Sequence, residues 1–353
     1  MKNISSTLLT ILLALFSAFF FTGCETETIL TESARATHFN SFSPKTEKAV
    51  LTPLMSRYKS EEYSFSDLAL LENGGIWSVG FDSKPTRNIR TDGSELSIRP
   101  FYPAPDSLSS IYFVDDRHGW AVGNGDIYRT ADGGEHWGKT DLRRNLNWAK
   151  IHFFNDKIGY LAVKLDVKEE EAGEIWKTMD GGETWVKMYE KDKWHTPYSI
   201  LAISENTALA LLDSENILRT DDGGKSWQVG NSYYGLTTTS YKFLNALYKD
   251  KNSRIWALGG DGNFFYSLDS GRTWSRPEVF PKSMGSADWD TIGFVDSKTG
   301  FAAGENGAFA ATQDGGITWK SIESGVTEHL RKIFLNKNTV LILGANNLYE
   351  VKF

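Results

Sequence analysis

From about residue 68 to the C-terminus, the chain alternates short apolar runs with polar, glycine-bearing turns. Ile111-Tyr112-Phe113-Val114 is followed, after a polar turn, by Gly119-Trp120-Ala121-Val122-Gly123, and Ile292-Gly293-Phe294-Val295 is followed by Gly300-Phe301-Ala302-Ala303-Gly304. Runs this short, bounded by turn residues and rich in aromatic and β-branched side chains, predict strands. The same two-strand signal spans Leu68 to Gly80 and Ile333 to Gly344, the latter leading into Leu348-Tyr349-Glu350-Val351. No stretch after the N-terminal leader keeps a helical period, so the pattern predicts an all-β chain.

Most strand pairs run into one motif. RTADGGEHW at Arg129 to Trp137 returns as KTMDGGETW (Lys177 to Trp185), RTDDGGKSW (Arg219 to Trp227), YSLDSGRTW (Tyr266 to Trp274) and ATQDGGITW (Ala311 to Trp319). The aspartates Asp132, Asp180, Asp222, Asp269 and Asp314 recur at steps of 42 to 48 residues, a period that marks repeat architectures. A catalytic residue is not needed five times. An Asp at the head of a tight turn accepts bonds from backbone N–H groups one or two residues on, and the glycines supply positive φ. Trp137, Trp185, Trp227, Trp274 and Trp319 then open the next strand and can cover the turn. The structural reading is preferred to a metal or acid–base role.

Thr or Ser, any residue, Asp, Gly or Ser, Gly, two variable residues and Trp: this pattern resembles the Asp-box, or BNR, repeat of sialidase-type β-propellers. The fuller unit Gly119 to Trp137 is similar to the photosystem II assembly and stability factor family of propellers. The resemblance covers most of the chain after the first sixty residues and implies Asp-boxes on one face and the working surface on the other. Five complete units and two degenerate ones, the first ending in Arg90-Thr91-Asp92-Gly93, make seven. The last unit stops after its third strand, and Ala49-Val50-Leu51 fits a short strand. The expected fold is therefore an all-β, seven-bladed β-propeller with four-stranded antiparallel blades, its last blade closed by the N-terminal strand, which removes exposed sheet edges.

Lys2, the apolar run Leu8 to Phe21 and Phe21-Thr22-Gly23-Cys24 resemble a bacterial lipoprotein signal, the run being short for a membrane span. Residues 1–23 are expected to be a signal peptide, 24–46 a polar tether after a lipidated Cys24, and 47–353 the propeller. That organisation places the protein outside the cytoplasm, anchored to a bacterial membrane on its periplasmic or cell-surface side. Cys24 is the only cysteine, which leaves no internal disulfide or thiolate metal site. The six histidines lack HxH or HExxH spacing, so neither a metal nor another cofactor is expected. A formal net charge of −7 argues against nucleic acid. A monomer is expected.

Function is sought on the loops that join the fourth strand of one blade to the first of the next. These loops carry the basic pair Arg143-Arg144 and the aromatics Trp148, Trp194, Tyr198 and Trp289. Trp148, Tyr198, Trp289 and His329 each stand five residues before an apolar strand residue, namely Phe153, Ile203, Phe294 and Phe334. Equal spacing predicts one shared register around the mouth of the central channel. There they could stack on sugar rings or grip an apolar peptide; sealing one blade against the next is the other reading. No catalytic residue is assigned, because the Arg-Ile-Pro signature of sialidases is missing, Ser97-Ile98-Arg99-Pro100 differs from it, and a carboxylate pair such as Asp288 with Glu278 is not singled out by spacing. The resemblance implies a lipid-anchored, non-enzymatic propeller that binds a protein partner or assists assembly of a membrane or cell-envelope complex. The alternative is a carbohydrate-binding or sialidase/glycosidase-like surface protein using Trp148, Trp194 and Trp289 as platforms.

Overall fold

The computed structural model describes residues 50–53, 65–73, 75–80, 87–91, 96–100, 108–123, 125–142, 146–165, 172–191, 196–212, 217–230, 244–279, 287–336, 339–345 and 347–352. They form seven antiparallel sheets within the unit Glu47–Lys352. Blade 1 opens with Phe65–Leu70, blade 2 with Ser110–Phe113, blade 3 with Leu146–Phe153 and blade 4 with Pro197–Ala202. Blades 5, 6 and 7 open with Leu244–Lys249, Trp289–Phe294 and Leu330–Asn336. Each opening strand packs on the opening strand of the following blade, and that of blade 7 packs on that of blade 1, which closes a ring. The seven-bladed propeller is thus the fold of the chain.

Closure uses the N-terminal strand Val50–Pro53, which pairs antiparallel with Leu348–Lys352 in the register Val50↔Lys352 to Pro53↔Tyr349. Chain ends far apart in sequence therefore share blade 7. Six of the described sheets have four strands, whereas blade 5 has three. Its fourth strand shrinks to the single bridge Tyr266↔Ser275. Pro277, two residues on, has no N–H to continue a ladder, and the chain turns instead to blade 6, where the Glu278 N–H donates to the Ile317 carbonyl at 2.9 Å.

The second strands GWAVG, IWALG and GFAAG are buried throughout, as required of a strand covered by a neighbouring blade on each face. Their small residues let first-strand aromatics cross over them. A Cβ added at Gly159 would lie 2.5 Å from the Phe153 ring. Tryptophans then stitch blade to blade: the indole N–H of Trp77 donates to the Gly133 carbonyl of blade 2 at 3.1 Å, and that of Trp120 to the Gly181 carbonyl of blade 3 at 2.8 Å.

Candidate functional site

The Asp-box turns are built from their own side chains. In the second box, the Thr178 hydroxyl donates to Asp180 Oδ1 at 2.8 Å and accepts the Gly182 N–H at 2.8 Å. The Thr184 N–H and hydroxyl donate to the same carboxylate at 2.9 Å and 2.5 Å. The pattern recurs around Asp222, Asp269 and Asp314. In the first box His136 takes the place of the hydroxyl, 2.8 Å from Asp132 Oδ2. Gly181 and Gly182 hold φ of 74° and 91°, accessible at little cost to glycine alone. Partial burial raises the carboxyls of Asp132, Asp180 and Asp269, but hydrogen bonds override it and hold them at about 2. Asp222 is held at about 2 chiefly by Ser226, and Asp314 is lowered as well. These oxygens are engaged in the turns they form, and Trp137, Trp274 and Trp319 are buried beside them while Trp185 and Trp227 are half-buried.

Each box also marks a face. The N–H groups of Gly133, Gly181, Gly223 and Gly315 donate to Arg117, Lys157, Asn206 and Lys298 in the first hairpin turn of the same blade. The opposite face holds the loops between blades. There Asp288, entering blade 6, accepts the Asp261 N–H of blade 5 at 2.9 Å, while Glu278 lies against Ile317 in the box of blade 6. Asp288 and Glu278 stand on opposite faces and cannot flank one glycosidic bond, which needs carboxyls within about 10 Å.

The four equally spaced aromatics do not share a register. Opening strands of blades 1, 3, 4, 5, 6 and 7 each contain an irregularity, between Phe65/Asp67, Leu146/Trp148, Pro197/Ser199, Leu244/Ala246, Trp289/Thr291 and Leu330/Lys332, so its place relative to the aromatic differs from blade to blade. A bulge absorbs one residue and so reverses which side of the sheet the preceding residues face. Trp289 therefore packs on the same side as Phe294; it is 1% exposed and lies edge-on to Phe264 at 5.9 Å. In blade 3 pairing is continuous from Trp148 to Phe153, and Trp148 is only half-buried. Tyr198 falls on the bulge itself, its hydroxyl donating to the Leu244 carbonyl. His329 precedes its strand and meets Asp290 Oδ2 at 2.6 Å, while Asn245 holds Asp290 Oδ1 at 3.0 Å. Arg143, Arg144, Trp194 and Cys24 lie outside the described residues.

The His329–Asp290 contact joins blades at the loop face and raises the His329 pKa, the hydrogen bond outweighing burial. A raised histidine contributes stability that is complete below its unfolded value, near 6.5, and is lost as pH climbs through the folded value. Thermal unfolding from pH 6 to 8.5 should therefore show a decline that His329→Gln removes, below about 1 kcal/mol because the pair is partly exposed.

The channel holds a cluster that sequence reasoning missed. Asp67, Ser110, Lys150 and Lys332 occupy one level of their opening strands, paired with Val79, Val122, Ala162 and Leu343. Asp67 accepts five donors: the N–H groups of Leu68 at 2.9 Å and Ile111 at 3.1 Å, the Ser110 hydroxyl at 3.0 Å, Lys150 Nζ at 3.1 Å and Lys332 Nζ. Burial pushes its carboxyl up, but the two lysines and these bonds carry it far below the usual range. One turn of the strand deeper, the His152 ring lies 4.4 Å from that of Tyr112. Burial first, and then Lys150, Lys332 and Lys249, lower His152 to about 3. The signal was present in sequence: Lys150-Ile151 and Lys332-Ile333 put a lysine in the same slot of two apolar strands.

Known proteins share this scaffold. The profile of the family described as Photosynthesis system II assembly factor YCF48 matches residues 102–234 and 229–309. The photosystem II assembly lipoprotein Ycf48 of Picosynechococcus sp. is 27% identical over 292 residues, covering 69% of this chain and 83% of the relative. The photosystem II assembly protein Ycf48 of Thermosynechococcus vestitus is 22% identical over 292 residues, covering 70% and 81%. Among solved structures, YCF48 bound to a D1 peptide superposes with a TM-score of 0.61 at 20% identity, covering 82% of this chain and 91% of that one. YCF48 from Cyanidioschyzon merolae gives 0.59 at 19% identity, covering 82% and 95%. At such identity these two structures speak for the fold alone. With well over half of its length matched by the family profile, and the Asp-box propeller beneath it, this chain belongs to the photosystem II assembly factor YCF48 family.

Proposed function

We propose that the protein is a non-enzymatic, lipid-anchored propeller that binds a segment of a protein partner on its loop face and assists assembly of a membrane or cell-envelope complex. The observation that carries this reading is family membership, reinforced by a relative of the same fold solved with a D1 peptide. The Asp-box carboxylates are consumed by their turns, which fits scaffolding better than turnover. The loop face offers the half-buried Trp148 and the His329–Asp290 pair. The carbohydrate reading has less support, because a buried Trp289 is no stacking platform.

Titrating a D1 peptide into the purified protein addresses the finer assignment: saturable binding weakened by Trp148→Ala supports a photosystem II client, and no binding directs the search to another membrane protein. Anchoring through Cys24, with 1–23 removed and 24–46 as tether, is supported by relatives named as lipoproteins. Cys24→Ser should move the protein from the membrane to the soluble fraction, and unchanged membrane retention would refute the anchor. A monomer on the periplasmic or cell-surface side of a bacterial membrane completes the proposal.

A further inference from the structure

The ring is closed by a strand that enters it from one face. In blade 7, Leu330–Asn336 runs from the loop face to the first hairpin turn, Thr339–Gly344 returns, and Leu348–Lys352 runs back towards the box face. Val50–Pro53 lies antiparallel to that third strand, with Val50 beside Lys352 and Pro53 beside Tyr349. Val50 therefore stands at the box-face end of blade 7, where the boxes of other blades hand the chain to their fourth strands. The chain that precedes Val50 joins the propeller on that face. Apolar exposure is divided in the same way. Among the described residues, Phe154 is exposed in the first hairpin turn of blade 3, and Met179, Leu268 and Ile317 are exposed in the boxes of blades 3, 5 and 6. Val186, which opens the strand after the box of blade 3, and Val279, whose carbonyl accepts the Trp319 N–H at 3.0 Å beside the box of blade 6, are exposed as well. No large hydrophobic side chain among the described residues is exposed at the loop face.

Single apolar tips are ordinary on a soluble surface. These are informative because they share the face at which an anchored chain arrives. Tethering makes contact with the bilayer intramolecular, so contacts too weak to bind a free protein become populated. A flexible coil the length of residues 24–49 has a root-mean-square span of about 25–30 Å, which brings the near face of the propeller to the headgroups more often than the remote one. We propose that the box face is the membrane-contacting surface of the protein, its exposed apolar side chains resting among the headgroups of the bilayer that holds the Cys24 lipid, with the loop face turned outwards. This inference rests on the reading of Cys24 as the anchor, and it adds what kind of client the loop face meets: a segment that stands clear of the bilayer. The lipid that fits is zwitterionic. Each of the five boxes carries a carboxylate held ionised by its turn, and an anionic surface would meet these charges with its own.

The test uses the full-length lipidated protein in phosphatidylcholine vesicles. Cys24 is the only cysteine, and in the anchored protein its sulfur carries the lipid, so an introduced cysteine takes a fluorophore alone. Glu183→Cys and Lys225→Cys report on the box face, Glu305→Cys and Thr327→Cys on the loop face, all at exposed positions where substitution leaves folding intact. Quenching by a phosphatidylcholine spin-labelled on its headgroup should be severalfold stronger at the two box-face positions, and should weaken when phosphatidylglycerol replaces part of the phosphatidylcholine. Met179→Ser combined with Leu268→Ser should cut the box-face quenching by at least about twofold, because it removes two of the apolar contacts. Flotation separates the two readings: protein that does not float with the vesicles refutes the anchor and this inference with it. Protein that floats but is quenched equally at all four positions, or more strongly at the loop face, leaves the anchor standing and overturns the proposal. Quenching unmoved by the apolar substitutions, or not weakened by phosphatidylglycerol, overturns it as well.

Discussion

Replacing Trp120 with alanine should cost about 3–5 kcal/mol of stability, the range for losing a buried tryptophan. The indole is 2% exposed, stacks on Phe153 at 3.5 Å between ring centroids with planes 8° apart, and donates to the Gly181 carbonyl. It therefore belongs to blade 2 by sequence and to the box of blade 3 by contact. Its removal opens a cavity and leaves a partly buried carbonyl without its donor. Gly182, whose added Cβ would lie 3.2 Å from Trp120 Nε1, shows how closely the box is fitted over the ring. Chemical denaturation with fluorescence detection checks the effect. Met179→Ala, at a box side chain 66% exposed, is the control and should stay within about 0.5 kcal/mol of the parent; equal losses at both positions would contradict interblade stitching.

The channel should make the protein sensitive to acid in two separable windows. His152 is held neutral down to about 3 while its unfolded value is 6.5. Between those values the unfolded chain binds a proton that the folded one does not, so stability falls as pH falls, by up to about 1.4 kcal/mol per pH unit. His152→Gln should flatten that slope. Asp67 acts lower. Its folded value is depressed, so its contribution is complete above the unfolded value of 3.8 and is lost as pH drops below it. Asp67→Ala at neutral pH should cost about 2–3 kcal/mol, less than the loss of one partner from a fully buried pair because Lys150 and Lys332 remain partly solvated. Denaturation midpoints from pH 3 to 8 for parent and both variants test the account; a His152→Gln profile parallel to the parent would contradict it.

How much of this was written legibly in the sequence depends on whether a feature repeats locally. The boxes do: Thr178, Asp180, Gly182 and Thr184 make their bonds within seven residues, so spacing alone gives the turn, and the missing final strand with Val50–Pro53 in its place follows from counting. The short ladder of blade 5 was hidden because Pro277 acts after the box, in a loop whose partner, Ile317, lies in the next blade. The loop-face aromatics were misread for a different reason. Five residues separate Trp148 from Phe153 and Trp289 from Phe294, yet the irregularity at Asp290 follows Trp289 and turns it into the core, whereas in blade 3 the irregularity falls before Trp148, between Leu146 and Trp148, and leaves that ring half-buried. Bulges leave no mark in residue spacing. Asp67 and Lys332 are 265 residues apart and meet only because the ring closes.

The central claim, that a protein partner docks on the loop face, is tested most directly by site-specific photocrosslinking in the native cell. A photoreactive amino acid would replace Trp148 or His329 on the loop face, and Glu183 or Lys225, exposed on the box face, in parallel strains. The account predicts one recurrent membrane-protein adduct from both loop-face positions and none from the box face. Adducts to that protein from Glu183 and Lys225 alone would place the working surface on the other side and contradict it.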